Sequence, residues 1–212
     1  MITFKIFGIN LSISIAFMGV YTLMLYIDKT GLMLPTLLAT IIHEAGHFAA
    51  LLVFKSKPQR IILRVGAIGI SGRFLLSPLK EITMLIMGPF FNIVLFFCFY
   101  WVYNLFGFIT FLNMSLVMLV VGVFNLLPII GLDGGDILKI ILSGRFKMQT
   151  VNIILFSISL IAIFSILLFG FFVLTDTKSN ISLILMGIYL ILSILLSKKQ
   201  KNYCKIHRNI VK

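Results

Sequence analysis

Two histidines and a glutamate at short spacing are the residues of this sequence best suited to metal chemistry. They form the pattern His-Glu-x-x-His, with His43, Glu44 and His47 at the named positions. On a helix, residues four apart share a face, so the two imidazoles can bind one Zn²⁺ ion. Glu44 follows the first ligand, where its carboxylate can accept a proton from the attacking water. The pattern predicts a zinc site with Glu44 as general base.

The residues around this motif are apolar, which makes its charge costly. Apart from Glu44, the stretch Leu32–Phe54 contains no Asp, Glu, Lys or Arg. An ionisable side chain inside a membrane helix costs on the order of 3 kcal/mol, and such residues are usually functional. A metal site explains why the cost is accepted.

The composition is that of a membrane protein. The chain has 212 residues, 60% of them hydrophobic, with a mean hydropathy of +1.15. No polar stretch is long enough for a separate soluble domain. The two cysteines, Cys98 and Cys204, lie far apart and indicate neither a disulfide framework nor a cysteine-based metal site.

Apolar segments long enough to cross a bilayer predict an all-α membrane protein of about six transmembrane helices. We expect an intramembrane domain over residues 1–197 and a basic cytoplasmic tail over residues 198–212. The fourth span is short and broken by Pro128. The predicted spans are Gly8–Ile27 (a retained helix, not a cleaved signal peptide), Leu32–Phe54, Leu79–Tyr103, Met114–Leu127, Val151–Leu174 and Ile181–Ser197.

The distribution of positive charge predicts the orientation of these spans. Six spans place both termini and the second and fourth loops on one side of the membrane. Sixteen of the 18 Lys and Arg residues fall on that side, and only Lys29 and Lys178 fall on the other. The positive-inside rule then places both termini in the cytoplasm. The net charge of +12 is explained by this topology and by anionic lipid, and it requires no nucleic acid.

The loop between the second and third spans differs from the rest of the chain. Its segment Ile61–Gly72 is rich in β-branched residues and contains glycines at positions 66, 69 and 72. This pattern predicts one or two short strands, a β hairpin associated with the membrane. The hairpin either lies passively at the surface or offers an edge to an extended peptide, with Gly66 and Gly69 leaving room for its backbone.

The sequence offers few candidates for a third metal ligand. The third histidine, His207, lies in the C-terminal tail, so we expect a carboxylate. Asp133 follows the break at Pro128 and precedes two glycines. Counting residues along the spans puts it in the inner half of the membrane, at a depth compatible with that of His43 and His47. Taken alone, Asp133 could equally be a turn or helix-cap residue. Asp136 is the second candidate ligand, although a charge at the start of the next helix is its simpler role.

Several motifs together resemble one family. His43-Glu44-x-x-His47, Gly88-Pro89-x-x-Asn92, and Asn125-x-x-Pro128 followed by Leu132-Asp133-Gly134-Gly135 are similar to the motifs of the site-2 proteases, which are intramembrane zinc metalloproteases. Within that family the chain is most similar to the stage IV sporulation protein FB branch. That branch processes a membrane-tethered pro-sigma factor. Members often have Arg after the two glycines, where this chain has Asp136.

The resemblance implies zinc on His43, His47 and Asp133, with Glu44 as catalytic base and Asn125 as a polar partner of the substrate or oxyanion. The partners it implies are a membrane-tethered protein substrate, inhibitory membrane proteins and the lipid bilayer.

Two further expectations concern substrate binding and an alternative function. We expect Gly66, Gly69 and Asn92 to contribute to substrate binding. The rival interpretation is a small ion or metal transporter that uses the same polar residues as a relay. Such transporters usually contain internal repeats, and none is evident here.

Overall fold

The computed structural model describes residues 2–6, 9–13, 22, 26, 28, 31–56, 60–64, 67–71, 76–177, 187–188, 190–191 and 194. The chain divides into two compact units, Met1–Leu126 and Leu127–Lys212. The described part is mostly helical. Its elements are β1 (Ile2–Ile6), β2 (Ile9–Ile13), α1 (Met33–Val53), β3 (Arg60–Arg64), β4 (Ala67–Ser71), α2 (Pro78–Phe106), α3 (Ile109–Asn125), α4 (Asp133–Ser143) and α5 (Met148–Thr177).

The four strands form one sheet in the first unit, in the order β1-β2-β3-β4. Strands β3 and β4 pair antiparallel between α1 and α2, where the sequence predicted one or two short strands. Strands β1 and β2 also pair antiparallel, and β2 joins β3 in parallel. Within the described strands, β4 is therefore at one edge of the sheet.

The N-terminal strands correct two expectations. The first span was predicted to start at Gly8, but Ile9–Ile13 is strand β2. The fold class of helices with one hairpin also understates the strand content. The sequence Ile-Asn-Leu-Ser-Ile alternates apolar and polar residues strictly, which is the period of a strand rather than of a helix. Most of the remaining first span lies outside the described residues, although Thr22 and Tyr26 are helical.

Helices α1, α2 and α3 pack against one another in the first unit. Two contacts give the relative direction of α1 and α2. His47 contacts Met84, whereas Phe54, directly after the end of α1, lies beneath the ammonium of Lys80, so residue numbers rise along one helix as they fall along the other. This order makes α1 and α2 antiparallel, as successive membrane spans require. Helix α2 ends at Phe106, and the next residue, Gly107, caps it in the left-handed conformation with a φ of 72°.

Three described helices are long and apolar enough to cross a membrane: Met33–Val53, Pro78–Phe106 and Met148–Thr175. Helix α3 is a shorter apolar helix of 17 residues. These four correspond to the predicted spans two to five and indicate a membrane protein. The sixth predicted span lies largely outside the described residues, so the six-span topology stays a prediction.

The predicted break in the fourth span is present. Helix α3 ends at Asn125, three residues before Pro128, and the next helix begins at Asp133. Proline disfavours helical backbone at the residue before it, which accounts for the end of α3 near this point. Within the second unit, the short helix α4 then packs against the long helix α5.

Candidate metal centre

The two histidines of the motif meet on the inner face of α1. His43 and His47 are 4% and 7% exposed, and their Nε2 atoms lie 3.1 Å apart. Their rings are perpendicular, with centroids 4.7 Å apart. Two nitrogens at zinc's usual distance of about 2.0–2.1 Å in a tetrahedral site would lie about 3.3 Å from each other. The observed separation of the two Nε2 atoms is therefore close to the separation that a shared zinc ion requires.

The orientation of His47 is set by the neighbouring helix. Its Nδ1 lies 2.8 Å from the carbonyl oxygen of Met84 on α2. A carbonyl can only accept, so Nδ1 carries the proton, and in the neutral ring Nε2 is the nitrogen that can accept a hydrogen bond or bind a metal. Metal-binding histidines commonly make such a bond, which holds the tautomer and the ring angle.

Glycines make this arrangement sterically feasible. A Cβ at Gly88 would lie 2.5 Å from Cε1 and 2.6 Å from Nε2 of His47, and 2.9 Å from Cε1 of His43. A Cβ at Gly46 would lie 2.5 Å from the carbonyl oxygen of Met87. The backbones of α1 and α2 therefore approach closely at this level, and the imidazoles occupy the space that a side chain at position 88 would fill. The donor types, the spacing and this cradle all fit a metal ion.

The remaining predicted residues of the first unit have distinct environments. Glu44 is half-buried on α1, next to His43. Asn125 is the last residue of α3, and its Nδ2 donates to the carbonyl oxygen of Val121 at 2.9 Å. Gly69 lies in β4 opposite Ile62 of β3, whereas Gly66 lies outside the described residues.

Asn92 is fully buried where α2 meets α3. A Cβ at Gly122 of α3 would lie 3.1 Å from its Cβ. Neither its Oδ1 nor its Nδ2 has a hydrogen-bond partner within the described part of the chain. An unsatisfied buried amide is costly, so this position is unusual for a purely structural residue.

In the second unit, Asp133 and Asp136 both lie in the first turn of α4. Asp133 is half-buried and Asp136 is exposed. The backbone N–H of Asp136 donates to the carbonyl oxygen of Leu132 at 3.1 Å, the first bond of the helix. Of the two carboxylates, Asp133 is therefore the less exposed.

Sequence reasoning missed the Met84 carbonyl and the role of Gly88. A backbone carbonyl has no signature in the sequence. Gly88 was visible only as a packing or kink residue ahead of Pro89. The HExxH motif predicts two ligands but does not identify the neighbouring helix that orients them.

Comparisons with known proteins agree with this chemistry. The model of peptidase family M50 matches residues 103–169, a stretch that contains Asn125 and Asp133. A zinc metalloprotease of Methanocaldococcus jannaschii is 28% identical over 208 residues, covering 88% of this chain. A solved site-2 protease structure from Methanocaldococcus jannaschii superposes with a TM-score of 0.66 at 25% identity. That match covers 89% of this chain and 91% of the other.

All three comparisons support the peptidase M50, or site-2 protease, family. The chain spans 57% of the length of the curated relative it matches. Zinc is the metal that this family indicates for the histidine pair.

Proposed function

We propose that this protein is an intramembrane zinc endopeptidase that cleaves a membrane-associated protein segment near the cytoplasmic side. The observation that carries the proposal is the histidine pair, buried in an apolar helix with its Nε2 atoms 3.1 Å apart. A buried polar pair within an apolar helix is a functional site by default. The family comparisons supply the reaction class.

Asp133 is the third ligand in this proposal. Two histidines and one carboxylate are a common ligand set of catalytic zinc, and His43, His47 and Asp133 carry these donor types. The half-burial of Asp133 in the first turn of α4 supports its choice over the exposed Asp136. Such a set leaves the fourth zinc position open for chemistry.

The catalytic roles follow from the residue types. When bound, zinc supplies Lewis-acid chemistry that acidifies water and polarises a carbonyl group. Glu44 accepts the proton of the attacking water and later delivers it to the leaving amine. Asn125 donates from its amide to the oxyanion, for which its bond to the Val121 carbonyl must be released or its second N–H used.

The substrate binds as an extended strand. A helical segment keeps its carbonyls in i to i+4 hydrogen bonds, so the attack requires local unwinding. Strand β4 is an edge of the described sheet and can replace the bonds that an unwound segment loses. Gly69 leaves room for that strand, and Asn92 contributes a polar contact. The same role for Gly66, which lies outside the described residues, rests on the sequence alone.

The topology suggests the biological role. With both termini cytoplasmic and the site in the inner half of the bilayer, the products leave toward the cytoplasm. This suits the release of a regulatory protein such as a pro-sigma factor in sporulation, under the control of inhibitory membrane proteins. The cell membrane is the expected location, with several spans.

Metal analysis and a cleavage assay with Glu44→Gln test this function. Glu44 is adjacent to a ligand without being one, and the glutamine amide is nearly isosteric but cannot accept a proton. We expect zinc to remain bound and cleavage of a co-expressed membrane substrate to be abolished. Glu81→Gln, an exposed change in the first turn of α2, is the matched control and should cleave normally.

Two results would refute the proposal. Substantial cleavage by Glu44→Gln would show that Glu44 is not the general base. Zinc transport by the protein in liposomes, without peptide cleavage, would establish the transporter interpretation instead.

A further inference from the structure

Ser159 is a fully buried hydroxyl in the apolar helix α5. Its Oγ donates to the carbonyl oxygen of Leu155 at 2.7 Å, the usual bond of a serine to its own helix. The same oxygen accepts a hydrogen bond from the backbone N–H of Ile130, 3.0 Å away. Ser159 therefore links α5 to the irregular segment that precedes α4.

That segment, Leu127–Leu132, needs such support. Irregular backbone at membrane depth is tolerated only where its polar groups find partners. Some are local: Ile129 N–H donates to Leu127 at 2.7 Å, and Leu132 N–H donates to Ile129 at 3.0 Å. Ile130 N–H instead depends on a side chain 29 residues further along the chain.

The segment also packs tightly against the start of α4. The side chain of Ile129 is fully buried. A Cβ at Gly135 would lie 2.1 Å from the carbonyl oxygen of Ile129, so the first turn of α4 lies directly against the segment's backbone. A shift of Ile129 and Ile130 would move this turn, and Asp133 is part of it.

A row of buried residues on α5 surrounds the hydroxyl. Val151, Leu155, Ser159 and Ile163 follow one another at intervals of four residues, and all are at most 3% exposed. The hydroxyl is the polar member of this row. An apolar residue there would leave the part-buried N–H of Ile130 without this partner.

We propose that Ser159 is a positioning residue that holds Asp133 in place for metal binding by anchoring the backbone of Ile130. This inference rests on the proposed function in one respect, the role of Asp133 as a zinc ligand. Ser159 itself touches neither metal nor substrate in this proposal. Its contribution passes through the backbone of Ile130 and the first turn of α4.

The test compares Ser159→Ala with Ser165→Ala in the full-length protein in lipid nanodiscs. Ser165 is an exposed serine of the same helix that makes the same type of intrahelical bond, to Ile161 at 3.0 Å. Hydrogen–deuterium exchange of peptides covering residues 127–132 is measured together with zinc affinity by chelator competition. Exchange of peptides from α2 reports whether the rest of the fold is intact.

We expect Ser159→Ala to raise exchange at Ile130 roughly tenfold, because a part-buried hydrogen bond is lost. Zinc affinity should fall by roughly tenfold or more, as it does when an outer partner of a ligand is removed. Exchange in α2 should not change, and Ser165→Ala should behave as wild type in every measurement. Gly135→Ala, which disturbs the same packing from the α4 side, should also weaken zinc binding.

Unchanged exchange at residues 127–132 in Ser159→Ala would overturn the proposal. Raised exchange with unchanged zinc affinity would also overturn it, because the anchor would then have no effect on the metal. A wild-type protein that binds no zinc would refute the proposed function as well as the ligand role of Asp133. The exchange comparison would still decide whether Ser159 anchors the segment, because it requires no metal.

Discussion

The Nδ1–H of His47 donates to the carbonyl oxygen of Met84 across 2.8 Å, so a side chain of α1 is oriented by the backbone of α2. The sequence separation of 37 residues makes this a tertiary contact rather than a local one. It directs the lone pair of Nε2 toward His43 and couples the metal centre to the packing of the two helices. Changes on α2 that disturb its contacts with the histidines, at Met84 or Gly88, should therefore alter metal binding.

Gly88→Ala should lower zinc affinity while the helices stay folded. The added Cβ would approach Cε1 of His47 to 2.5 Å, a distance that forces the imidazole to move. We expect a loss of roughly 10–100-fold in zinc affinity, the range seen when the support of a metal ligand is disturbed. Chelator competition measures it. Gly144→Ala is the control, because its Cβ would meet only an ordinary contact at 3.6 Å. Equal zinc affinity of both variants would show that the space left by Gly88 for the two imidazoles is not needed for metal binding.

Asp133→Asn should reduce both zinc occupancy and cleavage, and Asp136→Asn should affect them far less. A neutral amide is a poor zinc ligand, and a lost ligand should cost more than the roughly 10–100-fold of a lost outer partner. Zinc content after dialysis and cleavage of a membrane substrate measure the two effects. Greater sensitivity at the exposed Asp136 would show that the ligand assignment is wrong.

Asn92→Leu should raise thermal stability and lower cleavage. Replacing a buried amide that lacks a partner in the described structure removes a desolvation cost of about 1–3 kcal/mol. If Asn92 contacts the substrate, cleavage should nevertheless fall by roughly tenfold. Thermal unfolding and kcat/KM are measured together.

The control for Asn92 lies on the same helix. Asn104 is exposed and donates to its own helix at Tyr100, so Asn104→Leu should leave cleavage unchanged. A less stable Asn92→Leu protein with normal cleavage would mean that Asn92 is a structural residue only.

Gly69→Phe should impair cleavage while zinc stays bound. The large side chain would obstruct a substrate strand at the β4 edge, and Gly69 is not one of the proposed zinc ligands. Thr3→Phe places the same bulk on β1, the opposite edge of the described sheet, and should have little effect. Loss of zinc in Gly69→Phe, or equal impairment by both variants, would contradict a substrate-binding role for β4.

Substrate variants test the requirement for an extended segment. Glycine near the scissile bond should speed cleavage, and a run of leucine should slow it, because helix unwinding precedes attack. Mass spectrometry of the product termini locates the cut. Equal rates for both substrates, or a cut near the outer interface, would exclude this mechanism.

The helices are largely determined by local sequence. The bounds of α1, Met33–Val53, differ by only one residue at each end from the predicted Leu32–Phe54, because a long apolar run has few alternatives to a helix in a membrane. The end of α3 ahead of Pro128 is equally local, since proline restricts the backbone before it. The N-terminal strands were missed because average hydropathy outweighed the strict alternation in Ile9–Ile13.

The sequence by itself determined the chemistry: two imidazoles one helical turn apart, a carboxylate beside them, and a second carboxylate after a helix break. Only the tertiary structure decided what surrounds these groups. The carbonyl of Met84 contacts His47, 37 residues earlier in the sequence. The absent side chain of Gly88 leaves room for His47 and His43, which are 41 and 45 residues away. The hydroxyl of Ser159 binds the backbone of Ile130, 29 residues away. A spacing pattern reports which residues share a helix face, but which backbone approaches that face depends on how the helices pack.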